Sequence, residues 1–386
     1  MNYDEVVKAE EMRVYREWLP FCKGSPKRGL TYDDQYDRVN LLFFTDSHID
    51  FRNPEESLDN VARTIAFANE SPVPFDALVH GGDIITPFWK VEKEIALERA
   101  RSFFALAKKS KAPFLFTKGN HDLNDWGNLP QWMLTDQDWG ELFLDGAEER
   151  YGIVRQNKED GNRSTWHYYD IEDKKIRIVV LDMQDTDKAT LTEEGTVRYH
   201  GGESAYLSNE QMNWIVTDAL DFHQKPEKDW GVIFVFHQYS ERKDLHEPII
   251  DKLLELCDAF QKQGTYTHQY KHPENSFFDL DILADFTSYA QWAQKPHMIC
   301  WLLGHDHEDQ YEIKHGFPII RSLNHSATTV SGDARVVRVP GTVTQNSFDI
   351  VNIDPCHRKI RLFRYGAGVN CYGEGGNRFL PDGLSY

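Results

Sequence analysis

Five short clusters along the 386-residue chain carry residue types that hold cations or move protons: "DSH" (Asp46 and His48), "GGD" (Gly81 to Asp83), "GNHD" (Gly119 to Asp122), "FHQ" (His237) and "GHDH" (Gly304 to His307). Asp46 and His48 stand two positions apart, and side chains at i and i+2 of an extended segment point to the same face. A metal ion would draw them to one point. A turn would also explain them, because Asp is turn chemistry, as is the Gly-Asp of the second cluster. His237 follows an apolar run and, alone, fits a core histidine. No cysteine adjoins any cluster. A cation held by this set would have oxygen and imidazole ligands without thiolate, which suits Mn, Fe or Zn.

The elements around the clusters must bring them together. "VNLLFFTD" reads as a buried strand, "LDNVARTIAFANE" as an amphipathic helix, "DALVHGGD" as a second strand, "VEKEIALERARSFFALAKK" as a longer helix and "PFLFTKGNHD" as a third strand. Strands alternating with helices predict right-handed βαβ units and parallel pairing, with the three strand ends on one edge. Asp46 and Asp83 are 37 residues apart, and so are Asp83 and Asn120, each interval about one such unit. In parallel sheets, ligands bind beyond the carboxyl ends of the strands.

Past "GNHD" the aromatic-rich "NDWGNLPQWMLTDQDWGELF" reads as an insertion or cap. A hairpin follows, "STWHYYDI" with "KKIRIVVLDMQD". At "LSNEQMNWIVTDAL", Ser208 and Gln211 form an N-capping pattern ahead of a helix that feeds the strand "GVIFVFHQ". Residues 263–288 read as irregular before "HMICWLLGHDHED", and "SFDIVNID" with "RKIRLFRYGAG" predicts a terminal hairpin. Residues 1–38 are expected to be an arm or short surface helix. Residues 39–386 read as a single domain with insertions near 123–165 and 263–290 and a C-terminal hairpin and tail.

Apolar residues make up 40% of the chain and charged residues 27%, ordinary globular usage. The net charge of −19 repels nucleic-acid backbones and anionic membranes, which disfavours a long nucleic acid as partner. The N-terminus lacks a basic segment followed by an apolar one, and no apolar run is long enough to span a bilayer. The five cysteines (Cys22, Cys257, Cys300, Cys356 and Cys371) form no CxxC pair and read as reduced thiols, although Cys356 and Cys371 could bridge in an oxidising compartment. A cytoplasmic location is expected.

Taken together and in order, Asp-x-His, Gly-Asp, Gly-Asn-His-Asp, a lone His after an apolar strand and Gly-His-x-His resemble the calcineurin-like metallophosphoesterase superfamily, from Leu41 to about Asp309. The resemblance implies an α/β fold, a four-layer αββα sandwich of two mixed sheets flanked by helices. It also implies a pair of metal ions. The first would be held by Asp46, His48, Asp83 and His307, and the second by Asp83, Asn120, His237 and His305, with Asp83 bridging. Two cations about 3.5–4 Å apart neutralise a phosphate ester, orient it and generate hydroxide near neutral pH. Asn120 and His121 would contact the substrate. His121 would stabilise the developing charge or protonate the leaving oxygen, and Asp122 would orient its imidazole. Gly82, Gly119 and Gly304 would permit the tight turns that let ligands approach.

Departures from subfamily patterns narrow the expectation. Calcineurin-type phosphoprotein phosphatases resemble "GDxxDRG" and "RGNHE", whereas this chain has "GGDIITPF" and "KGNHD". Purple acid phosphatases carry a Gly and a Tyr where His48 and Thr86 stand. The pattern is closest to the phosphodiesterase-type members, which implies hydrolysis of a small phosphodiester or phosphomonoester. A nuclease-type activity is the alternative. A non-catalytic scaffold would have lost a ligand, yet all seven positions carry Asp, Asn or His. Outside the clusters, His80 is expected to pack in its strand, and His325 to be structural or on the surface. His200 is expected, like His325, to be structural or on the surface rather than at the substrate, and the tryptophans Trp126, Trp132 and Trp139 to pack beneath the insertion, with flooring a pocket as the alternative. The Gly-rich "YGEGGNRF" reads as a tail or turn.

Overall fold

The computed structural model describes residues 2–22, 38–50, 54–86, 91–202, 205–239, 248–327, 336–368 and 383–386. In chain order the helices and strands begin with α1 (Tyr3–Cys22), β1 (Val39–Phe44), α2 (Pro54–Glu70), β2 (Ala77–His80), α3 (Lys93–Ala107) and β3 (Phe114–Phe116). They continue with α4 (Asp136–Trp139), α5 (Asp145–Tyr151), β4 (Val154–Asn157), β5 (Arg163–Ile171), β6 (Ile176–Val180), α6 (Asn209–Trp214), β7 (Gly231–Phe236) and α7 (Ile249–Lys262). The remaining strands are β8 (Thr265–Tyr270), β9 (Leu280–Asp285), β10 (His297–Leu303), β11 (Gln310–Lys314), β12 (Phe317–Arg321), β13 (Ser347–Asp354), β14 (Lys359–Gly366) and β15 (Leu384–Ser385).

The strands form two large mixed sheets. One has six strands in the order β15-β14-β13-β1-β2-β3, and the other seven in the order β11-β12-β10-β7-β6-β5-β4. Strands β1, β2 and β3 are parallel, with Phe44 opposite His80 and His80 opposite Phe116, so the three ends stay level. In the second sheet, β6, β7, β10 and β12 are parallel.

The two-residue side-chain period explains how the layers stack. On the second sheet Ile176, Ile178, Val180, Ile233 and Val235 face a core shared with the first sheet. The alternate residues Val179, Leu181, Val232, Phe234 and Phe236 pack with α6, α7 and β9 on the far side. On the first sheet, α2 and α3 bury stripes spaced three to four residues apart, Val61 with Ile65 and Ala96, Ala100, Phe103 with Ala107. The result is helix, sheet, sheet and helix, the expected architecture.

Several elements differ from the expectations. Helix α1 spans 20 residues, with Val14 and Trp18 fully buried in the main core and Trp18 Nε1 donating to Asn40 at 2.9 Å. The segment after "GNHD" packs Leu134, Trp139 and Phe143 into the same core, and β4 and β5 beyond it belong to the second sheet. Residues 265–285 form an antiparallel hairpin, β8 with β9, in place of an irregular stretch. Its alternation is real but muted, because β8 is nowhere fully buried. Ser208 caps α6 by accepting from Gln211 N at 3.2 Å, whereas the Gln211 side chain bonds Asp182 and Asp185 rather than closing a full capping box. The terminal hairpin is present as β13 and β14. Cys22, Cys257 and Cys300 are buried free thiols and Cys356 is exposed. Cys371 and "YGEGGNRF" lie outside the described residues. No helix among the described residues is long and apolar enough to cross a membrane.

Candidate metal centre

All five clusters lie just past the carboxyl ends of parallel strands, three in the first sheet (β1, β2 and β3) and two in the second (β7 and β10). The chain reverses sharply there. Asp46, His48, Asp83, His305 and His307 all have left-handed backbone, with φ of 56°, 46°, 54°, 73° and 55°. Such residues cost about 1–3 kcal/mol each and persist where surrounding bonds over-determine them, typically at functional sites. The surrounding bonds are present. Asp46 N donates to Gly82 O at 2.8 Å, His48 N to Asp83 O at 3.1 Å, and Ser326 N to Asp46 O at 3.0 Å.

Two glycines make the close approach possible. A Cβ on Gly119 would lie 2.1 Å from Asp83 Oδ1, and one on Gly304 would lie 2.0 Å from Thr45 Oγ1 and 2.6 Å from Asp46 Oδ2. Both carboxylates therefore rest where any other residue would put a methyl group.

The side chains converge as two groups. Asp46, His48, Asp83 and His307 offer ligand atoms that all lie within 4.8 Å of one another, and so do Asp83, His237 and His305. Asp83 belongs to both. In the first group His307 Nε2 lies 3.1 Å from Asp46 Oδ1 and 2.9 Å from His48 Nε2. In the second, Asn120 Oδ1 lies 3.0 Å from His237 Nε2 and 2.9 Å from His305 Nδ1, and Asp83 Oδ2 is 3.2 Å from His237 Nε2. His121 Nε2 sits at the rim, 3.9 Å from Asp83 Oδ2, with its backbone N–H donating to Asp83 Oδ1 at 2.9 Å. The structure thus brings together all seven residues expected to hold metal.

The electrostatics of this cluster suit cations. Asp46 and Asp83 are fully buried, yet neighbouring imidazoles outweigh the burial and hold both carboxyls ionised, below the usual range. Two charged carboxylates in an interior need compensating positive charge. Burial and the neighbouring imidazole push His48 down to about 3, and burial with the nearby His237 pushes His305 down to about 4, so both keep lone pairs available. His237 is the exception: burial opposes its charge, but Asp83 and Asp46 prevail and lift it to about 10. His237 Nδ1 donates to Gly81 O at 2.7 Å, and His48 Nδ1 bonds Thr86 Oγ1, so in each ring Nε2 is the atom turned to the site. The donor chemistry fits a pair of metal ions.

The Asp122 carboxylate accepts from Gly119 N at 2.7 Å and Ile85 N at 3.0 Å, so it pins the "GNHD" turn that carries His121. Burial, with Asp83 adding to it, raises its carboxyl to about 8. His80 and His325 are both buried and share Ser47 Oγ, at 2.9 Å and 3.1 Å, while His325 also meets Thr64 Oγ1 at 3.0 Å. They back the first cluster as structural groups. Thr86, whose Oγ1 bonds His48 Nδ1, is a partner that the five clusters do not contain. Its position three residues after Asp83, on the segment that pairs Ile49 with Ile85, is the signal that points to it.

A family model described as calcineurin-like phosphoesterase matches residues 39–309. The chain belongs to that family. The match starts at the first residue of β1 and runs past the "GHDH" cluster, so it includes every ligand candidate of this calcineurin-like phosphoesterase. Solved structures of low identity also match the chain. One is a protein of Thermus thermophilus, with 11% identity and TM-score 0.36 over 84% of this chain and 97% of that one. Another is described as a novel archaeal phosphodiesterase, with 9% identity and TM-score 0.32 over 84% and 99%. A third is GAP50, the anchor in the inner membrane complex of Plasmodium, with 10% identity and TM-score 0.39 over 84% and 83%. No curated protein sequence matches the chain.

Proposed function

We propose that this calcineurin-like phosphoesterase hydrolyses a small phosphodiester or phosphomonoester with the help of two metal ions. The observation that carries the reading is the pair of convergent ligand groups sharing Asp83. Mn, Fe or Zn ions would be held by Asp46, His48, Asp83 and His307 and by Asp83, Asn120, His237 and His305. Bound there, they would neutralise the ester and supply an activated nucleophile near neutral pH.

The chain's own residues do the rest. Asn120 and His121 face the phosphate from the turn that Asp122 pins. Water oxygen bonds to phosphorus and releases one proton to solvent, the ester P–O bond breaks, and the His121 imidazole gives a proton to the leaving oxygen and regains one from solvent. The net charge of −19 favours a small substrate over a long nucleic acid. Three buried free thiols, Cys22, Cys257 and Cys300, are in keeping with a reducing, cytoplasmic setting.

The test is direct. The purified protein is assayed on p-nitrophenyl phosphate, bis-p-nitrophenyl phosphate and 2′,3′- and 3′,5′-cyclic nucleotides with added Mn, Zn or Mg, beside Asp83→Ala. Turnover that disappears in the variant is expected. No turnover of any ester with metal present, or full turnover in Asp83→Ala, overturns the reading.

A further inference from the structure

Beyond His121 the site changes character. A row of rings runs outward from the buried ligands: His48 lies 5.4 Å from His121 at 81°, His121 lies 5.6 Å from Trp126 at 47°, and Trp126 lies 6.0 Å from His200 at 14°. His48 is buried, whereas His121, Trp126 and His200 are all partly exposed. The row therefore begins among carboxylates and ends at an accessible aromatic surface.

That surface is built, not incidental. The Asp125 carboxylate is buried and accepts from Gly201 N at 3.0 Å with both oxygens and from Lys188 Nζ at 2.8 Å. Lys188 also donates to Tyr199 O at 2.8 Å. These bonds clamp the segment carrying His200 onto the "GNHD" turn. Two glycines let it sit that close. A Cβ on Gly201 would lie 2.5 Å from Asn120 O, and one on Gly202 would meet the Trp126 ring at 2.6 Å. Lys188, a described cation bonded to the same segment, is committed to Asp125 and a carbonyl, so the wall suits an uncharged group rather than a second phosphate.

We propose that Trp126 and His200 form the specificity wall for the organic part of the ester, selecting a leaving group with a planar aromatic ring. The proposal rests on the phosphoesterase reading. With the phosphoryl group among the buried ligands and His121 at the leaving oxygen, the ring row gives the organic part a path along Trp126 and His200. Aromatic faces reward a flat ring there through offset or edge contacts that a saturated chain of equal size does not make.

The test separates the two layers by binding, using non-hydrolysable phosphonates on the full chain loaded with Mn(II) and followed by calorimetry. Phenylphosphonate is expected to bind about tenfold more tightly than methylphosphonate. That advantage should fall below about twofold in Trp126→Ala, persist in Trp126→Phe and drop in His200→Ala, with thermal melts confirming that each variant is folded. If Trp126→Ala does not fold, His200→Ala decides. Equal binding of the two phosphonates by the wild type, or an undiminished phenyl advantage in the folded variants, overturns the wall and leaves the phosphoesterase reading standing. Failure of both phosphonates to bind, together with no turnover of any ester, overturns both.

Discussion

Gly119→Ala puts one methyl group at the centre of the site. The added Cβ would lie 2.1 Å from Asp83 Oδ1 and 2.3 Å from Asp83 N, whereas ordinary contact begins at 3.4 Å, so the shared carboxylate must move by about 1.3 Å. Its backbone cannot give way freely, because Asp83 O accepts from His48 N at 3.1 Å and Asp83 stands at φ 54°. A displacement of about 1 Å in a positioned group costs on the order of 10²-fold in rate, and overpacking costs about 1–3 kcal/mol of stability. The expected result is a loss of at least about 100-fold in ester turnover with weakened metal retention, in a protein that still folds. Gly146→Ala is the matched control. A Cβ there meets nothing within 4 Å and the residue lies inside α5, so it should gain about 0.5–1 kcal/mol and keep full activity. The assay combines turnover of bis-p-nitrophenyl phosphate, bound metal after desalting and urea denaturation. Wild-type turnover and metal content in Gly119→Ala would refute the reasoning.

Other sites extend the test. Lys118 is buried and bonds Asp136 and Asp182, each at 2.7 Å; Lys118→Met leaves Asp182 without its cation and Asp136 with Lys158 alone at 3.0 Å, and should cost about 3 kcal/mol in urea denaturation. Thr86→Val removes the partner of His48 Nδ1 and should weaken Mn(II) affinity by about 10- to 100-fold by calorimetry, with little change in thermal melting. Burial raises the Asp185 carboxyl from 3.8 to about 6, so the folded state holds that proton more tightly than the unfolded one. The associated stability is fully present below pH 4 and is lost as pH rises through 6. A shift of that size is worth roughly 3 kcal/mol, which partial exposure reduces to about 2. Relative to wild type, Asp185→Asn should gain that amount between pH 4 and pH 7.5 in denaturant midpoints, and parallel pH profiles for the two proteins would contradict it.

The ligand set was legible because its chemistry is written in order along the chain. A strand end delivers its last residues to a fixed edge, and the equal spacing of Asp46, Asp83 and Asn120 shows that successive βαβ units reach the same edge. The role of Gly119 and Gly304 followed too, since only Gly lacks the Cβ that would strike a carboxylate. Other features have no local signature. Asp46, His48, Asp83, His305 and His307 adopt positive φ although none is Gly, because tertiary bonds impose it. Asp122 also accepts from the backbone N–H groups of Gly119 and Ile85, bonds that its place beside the imidazole does not announce. Trp18 sits in a charged stretch that reads as a surface arm, and it is buried among residues far along the chain, stacked on Phe75 with its Nε1 donating to Asn40. The β8–β9 hairpin packs one face on helices, β8 beside α7 and β9 beside α6, and only β9 buries alternate residues fully, so its hydrophobic signal is weaker than that of a core strand.

The central claim is that one chain holds two metal ions through a shared Asp83. Electron paramagnetic resonance of the protein titrated with Mn(II) tests it most directly. The account predicts two ions per chain with a spin-coupled signal, and loss of the coupling in Asp83→Ala. A single uncoupled ion at saturation in the wild type, or coupling that survives in Asp83→Ala, would contradict it.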